Sequence, residues 1–116
     1  MKHTILMTLE EYFAVKNYFV ELNRQGKFKF DKSMQKFYKA FAIESSIKLD
    51  KKQNMFDNPE VEVMFHLEKN QTLLSTVGLF CREHAMDIKT IHPVTSRALE
   101  KIKIYIATEL MDILGL

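Results

Sequence analysis

One cysteine, three glycines, two prolines and no tryptophan occur in the 116 residues, and each shortage removes a class of protein. Cys81 alone cannot form an internal disulfide, whereas small secreted domains usually carry several, so a reducing, cytoplasmic setting is expected. Gly26, Gly78 and Gly115 stand far apart. A phosphate-cradling loop needs clustered glycines, so nucleotide chemistry of the Walker or Rossmann kind, and any cofactor bound that way, is not expected. Lys, Glu or Asp interrupts every apolar run before it reaches the roughly 18 residues of a membrane span. Met1 to Glu10 holds a single Lys2 and no sufficient apolar stretch, which does not fit a secretory signal. Without linkers, repeats or low-complexity stretches, the chain reads as a single domain over 1–116.

What is present is a globular composition, 47% apolar and 28% charged, which argues against disorder. Its charge is uneven. Between Arg24 and Lys52 nine basic residues face three acidic ones, although the net charge of the whole chain is only +2.

Hydrophobic spacing predicts the elements. Thr4 to Met7 suits a short strand. Thr8 and Glu11 have the spacing of a capping box, after which Leu9, Tyr12, Phe13, Val15, Tyr18, Phe19 and Leu22 recur at helical intervals up to Gly26, a natural stop. Lys27-Phe28-Lys29-Phe30 alternates and reads as a strand with Phe on one face and Lys on the other. Residues 34–49 suit either a helix or a strand. Their β-branched and aromatic content, together with Ser45-Ser46, favours a strand from about Phe37 to Leu49. A polar loop follows to Asn58-Pro59. Val61, Val63, Phe65 and Leu67 then alternate with polar residues as a half-buried strand, and Lys69-Asn70 is read as the turn of a hairpin to a strand over 72–80, although Leu73, Leu74, Val77 and Phe80 would also serve a helix. A short strand over 88–92 precedes Pro93, a residue that often precedes or opens a helix. A last helix starts near Ser96 and follows Leu99, Ile102, Ile106, Leu110 and Ile113 to Gly115. The expected fold is α+β, a small antiparallel or barrel-like sheet with an N-terminal and a C-terminal helix.

Catalytic and metal signals are sparse. Cys81 and His84 have C-x-x-H spacing, but His66 and His92 provide no matching second pair, so neither a metal site nor a thiolate nucleophile is assigned. Ser45, Ser46 and Ser75 lack the glycine turn of an exposed serine nucleophile. Glu10 and Glu11 sit in a first helical turn, where they complement the helix dipole. No catalytic residue is expected.

The basic region carries more information. Lys27-Phe28-Lys29-Phe30 and Lys36-Phe37-Tyr38-Lys39 interleave cations with aromatics, as grooves for single-stranded nucleic acid do. The candidate contacts are Arg24, Lys27, Lys29, Lys32, Lys36, Tyr38, Lys39, Lys48, Lys51 and Lys52, with Tyr38 as the stacking side chain. The order strand, long helix, several strands, C-terminal helix, with a basic strand region, resembles compact β-barrel RNA-binding modules of the PUA-like kind. That resemblance implies a non-enzymatic binding or regulatory protein for RNA or single-stranded nucleic acid. It covers element order alone and carries over no site residue. The alternative is a protein-interaction module or dimeric accessory protein, of the kind small phage or plasmid proteins provide, acting through apolar helix faces. Seven methionines and a wide apolar stripe on the last helix, with Ile104 and Tyr105 beside the main face, admit a homodimer seam as well as core packing.

Overall fold

In the computed structural model, which describes residues 1–49 and 57–116, the chain turns from strand to helix at Thr8. Strand β1 (Lys2–Thr8) runs directly into helix α1 (Leu9–Arg24). Both halves of the capping box form: the Thr8 hydroxyl accepts from Glu11 N–H at 3.1 Å and the Glu11 carboxylate accepts from Thr8 N–H at 2.8 Å. Two free backbone donors are thereby satisfied where the helix begins. At the other end Gly26 adopts φ +77°, and Lys27 N–H reaches Leu22 C=O at 3.0 Å. This closes the helix with a Schellman bond that a side chain at position 26 would strain.

Helix α2 (Lys32–Tyr38) begins at Asp31, whose carboxylate accepts from Met34 N–H at 3.0 Å. It continues into a π-helical turn over Lys39–Ile43, where Glu44 N–H bonds Lys39 C=O. Only then does strand β2 (Ser46–Leu49) follow. Strand β3 (Glu60–His66), helix α3 (Gln71–Asp87) and helix α4 (Pro93–Leu114) complete the described chain. The sheet is antiparallel, open and ordered β1-β3-β2, with Ile5, Val63 and Ile47 in one row and Met7, Val61 and Leu49 in the next. Its inner face buries His3, Ile5, Met7, Val61, Val63 and Phe65, while Lys2, Thr4, Leu6, Glu60, Glu62 and His66 face outward, the alternation of a sheet packed on one side. The α+β class is as expected, with the sheet in its open antiparallel form.

A single cluster of buried side chains joins these elements. Phe19, Phe37, Phe41 and Phe65 form its aromatic centre, with Phe19 edge-on to both Phe37 and Phe41. Leu74, Val77 and Cys81 from α3 and Leu99, Ile102 and Ile106 from α4 are each fully buried beside them.

Four expected elements and one helix start are corrected. Residues 27–30 form hydrogen-bonded turns, with Phe28 2% exposed and Phe30 92% exposed, so the two rings do not share a strand face. Residues 37–43 are helical because Met34, Phe37 and Phe41 meet the core at helical spacing, and the π turn lets Ala40, Phe41 and Ala42 all bury. Residues 72–80 belong to α3. Asn70 is its cap rather than a hairpin turn, accepting from Leu73 N–H at 3.0 Å, and Leu73, Leu74, Val77, Cys81 and Ala85 bury at helical intervals. Residues 88–92 are a turn, held by His92 N–H to Ile88 C=O at 2.7 Å. Finally, α4 opens at Pro93 instead of Ser96. Proline's fixed φ and missing N–H suit a first helical position, and the buried Ser96 hydroxyl bonds Ala85 C=O at 2.7 Å, tying α4 to α3.

Candidate functional site

The connection between α1 and α2 is short and anchored at three points. Gly26 closes α1. The Phe28 ring enters the core beside Phe19, Phe80 and Tyr38. The Gln35 side chain amide donates to both Phe28 C=O and Lys29 C=O at 2.8 Å. Held in this way, the turn presents Lys27, Lys29 and Phe30 to water, with Lys32 exposed on the first turn of α2. Lys29 Nζ lies 5.4 Å from the centre of the Phe30 ring. A phenyl ring left 92% in water with a cation over it is a stacking surface that needs no rearrangement to meet a flat ligand.

The lysines of α2 extend this basic surface. Lys32, Lys36 and Lys39 follow at helical spacing, so they share one side. Lys32 and Lys36 line a shallow cleft of about 190 Å³ together with Glu68 and Asn70, and Lys36 and Lys39 line its neighbour with Glu44 and His66. Acidic side chains partly neutralise this row: Lys36 pairs with Glu68 at 2.7 Å and Lys39 with Glu44 at 3.6 Å. Arg24 pairs with Glu21 at 2.5 Å. Lys27, Lys29 and Lys32 have no ion pair among the described residues.

The remaining sequence candidates separate from this group. Lys48 lies on the outer sheet face, opposite Glu62 of β3. Lys51 and Lys52 lie outside the described residues. Tyr38 is half-buried against Phe28 at 6.0 Å between ring centres, so the exposed ring of this region is Phe30 instead. Sequence reading missed Phe30 by extending the period-two pattern through it. The contrary signal was Asp31, a helix cap immediately after, which ends any strand at that point.

Behind the turn lies a polar pair. The Tyr18 hydroxyl is 2.5 Å from His84 Nδ1, and the imidazole stacks on Phe80 at 3.9 Å between ring centres. Burial lowers the His84 pKa, nearby Lys27 lowers it further, and Asp87 and Glu83 oppose them. Burial likewise raises the Tyr18 phenol, helped by Asp87. Cys81, three residues from His84, is fully buried, and burial pushes its thiol far above the range in which a thiolate forms. Among the described residues, no three His, Cys, Asp or Glu side chains gather where one metal ion would fit.

A second buried histidine joins β1 to α4. His3 Nε2 faces the Leu67 carbonyl at 3.1 Å, and a carbonyl only accepts, so this nitrogen carries the proton. Nδ1 lies 2.6 Å from the Tyr105 hydroxyl, and the Tyr105 phenol, pushed up to about 12 first by burial and then by Glu109, keeps its proton. His3 is thereby fully partnered inside the fold.

Among the described residues no helix is long and apolar enough to cross a membrane. Comparison of this chain with family models, with curated proteins and with solved structures finds no match.

Proposed function

We propose that this protein binds single-stranded nucleic acid, RNA or DNA, through the turn at 26–31 and the start of α2, without catalysing a reaction. The observation that supports the reading is Phe30, an aromatic ring 92% exposed on an anchored turn among the cations Lys27, Lys29 and Lys32. In water an isolated exposed phenyl contributes nothing to folding. It gains free energy by stacking on a base, which every nucleotide offers, while the lysines meet the adjoining phosphates. Phe30 takes the stacking role, and Lys36 and Lys39 contribute less than their number implies because Glu68 and Glu44 answer their charge.

The test is fluorescence anisotropy with labelled oligo-U and oligo-dT over a range of salt. With about three phosphates neutralised, the logarithm of affinity falls against the logarithm of salt with a slope near −2, from about 0.7 per phosphate. Phe30→Ala weakens binding by roughly five- to a hundredfold and leaves that slope in place, since no charge is lost. Replacing both Lys27 and Lys29 by Gln reduces the slope by about 1.4. Absence of binding at low salt, or binding indifferent to Phe30, overturns the proposal.

A further inference from the structure

Helix α4 carries two apolar stripes. One, through Ala98, Leu99, Ile102 and Ile106, is buried in the core. The other runs through Ile104, Ala107, Met111 and Leu114 and faces water, with Ile104 60%, Met111 52% and Leu114 53% exposed. Its intervals of three, four and three residues are those of a coiled-coil seam.

We propose that this seam pairs with its counterpart on a second copy of the chain, antiparallel, about a twofold axis level with residue 109. In that register Ile104 lies opposite the second copy's Leu114, and Ala107 opposite its Met111, so at the two contacts nearest the axis a small side chain receives a long, flexible one. A parallel pairing would set alanine on alanine and methionine on methionine, leaving a gap beside a bulge in a layer that needs close packing. The antiparallel pairing also opposes the helix dipoles and brings Lys103 level with the C-terminal end of the second copy's α4, where a cation is favoured.

The surface is large enough for a weak dimer. Beside the seam, Gly78 and Ala107 line a groove with Leu79, itself 53% exposed, on its wall. Leu79, Ile104, Met111 and Leu114 together expose roughly 400 Å² per copy, within the range of the functional apolar patches of monomers. Two such faces with a polar rim reach only about 1,000 Å², below the standard interface size, so a weak, transient dimer is expected.

Sedimentation of the full chain from low micromolar to submillimolar concentration tests this. A monomer–dimer equilibrium is expected, and Met111→Glu raises its dissociation constant by at least about thirtyfold while the circular dichroism spectrum is unchanged. Orientation is read separately. The doubly substituted Ile104→Cys, Leu114→Cys chain oxidises to a covalent dimer, because the two positions are about 15 Å apart along one helix and cannot bridge within it. Ile104→Cys alone does not cross-link. A monomer at every concentration, dimerisation unaffected by Met111→Glu, or efficient cross-linking by Ile104→Cys alone would each overturn the proposal.

Discussion

One carboxylate oxygen of Glu11 serves two helices: it accepts from Thr8 N–H at 2.8 Å, capping α1, and from Lys101 Nζ at 2.6 Å, holding α4 against it. Arg97 approaches the second oxygen at 3.7 Å, and the Glu11 side chain is only 4% exposed. A residue placed by the local rule of the capping box has become the polar pin between the first and last helices. Burial alone would raise its pKa, but the Lys101 hydrogen bond, the Thr8 amide and the Lys101 charge outweigh that and hold it below 4.5.

The sign of the pH dependence follows. A carboxyl whose folded pKa is depressed adds stability that is present above about 4.5 and lost as pH falls through the folded value. Urea midpoints measured from pH 6 to pH 3 should fall less steeply for Glu11→Gln than for the parent chain. At neutral pH, Glu11→Ala should cost about 2 kcal/mol, combining a lost cap with a lost charge-assisted bond. Equal acid sensitivity of Glu11→Gln and parent would remove Glu11 from this role.

His84 gives a dependence in a different pH window. Burial, aided by Lys27, depresses the imidazole, so the unfolded chain binds its proton first as pH drops below about 6.5. Stability attributable to His84 is therefore complete above that value, declines as pH falls below it, and levels off beneath the folded pKa. An NMR titration of the His84 ring should place its midpoint below 6.5, and Lys27→Gln should move it upward. A midpoint at or above 6.5 would show that Asp87 and Glu83 prevail.

The cap of α3 is testable at a single exposed residue. Asn70→Ala should destabilise by about 1 kcal/mol, whereas Asn70→Gly should cost only a few tenths, the pattern of a helix N-cap. Chemical denaturation resolves the two. Equal losses would mean that the Leu73 hydrogen bond contributes nothing.

Phe28 and Phe30, two residues apart, should respond in opposite ways. Phe28→Ala removes a ring from the core and is expected to cost about 3 to 5 kcal/mol. Phe30→Ala should stay within about 0.5 kcal/mol of the parent, as surface changes usually do. Thermal and urea unfolding of both variants checks this, and a destabilised Phe30→Ala would mean that its ring packs.

Local chemistry determined a good part of this molecule in advance. The Thr8–Glu11 spacing placed the start of α1, Gly26 and Gly115 placed two helix ends at φ +77° and +75°, and the alternation from Val61 onward placed β3. Each depends on neighbours within a few residues, where bond geometry and capping act directly. Residues 27–30, 37–43 and 72–80 were different. The alternation at 27–30 is too short to define a strand, the apolar runs at 37–43 and 72–80 satisfy periods of both two and 3.6, and the choice fell to partners distant in the chain: Phe41 meets Phe65 of β3 and Tyr12 of α1, and Ser96 of α4 bonds the carbonyl of Ala85. The same limit applied to the basic region. Sequence alone located the excess of lysine, but Glu68, 32 residues from Lys36, decides which of those charges is answered. Tertiary packing sends the Phe28 ring inward beside Phe19 and Phe80 and leaves Phe30 in water, next to the Asp31 cap that opens the following helix.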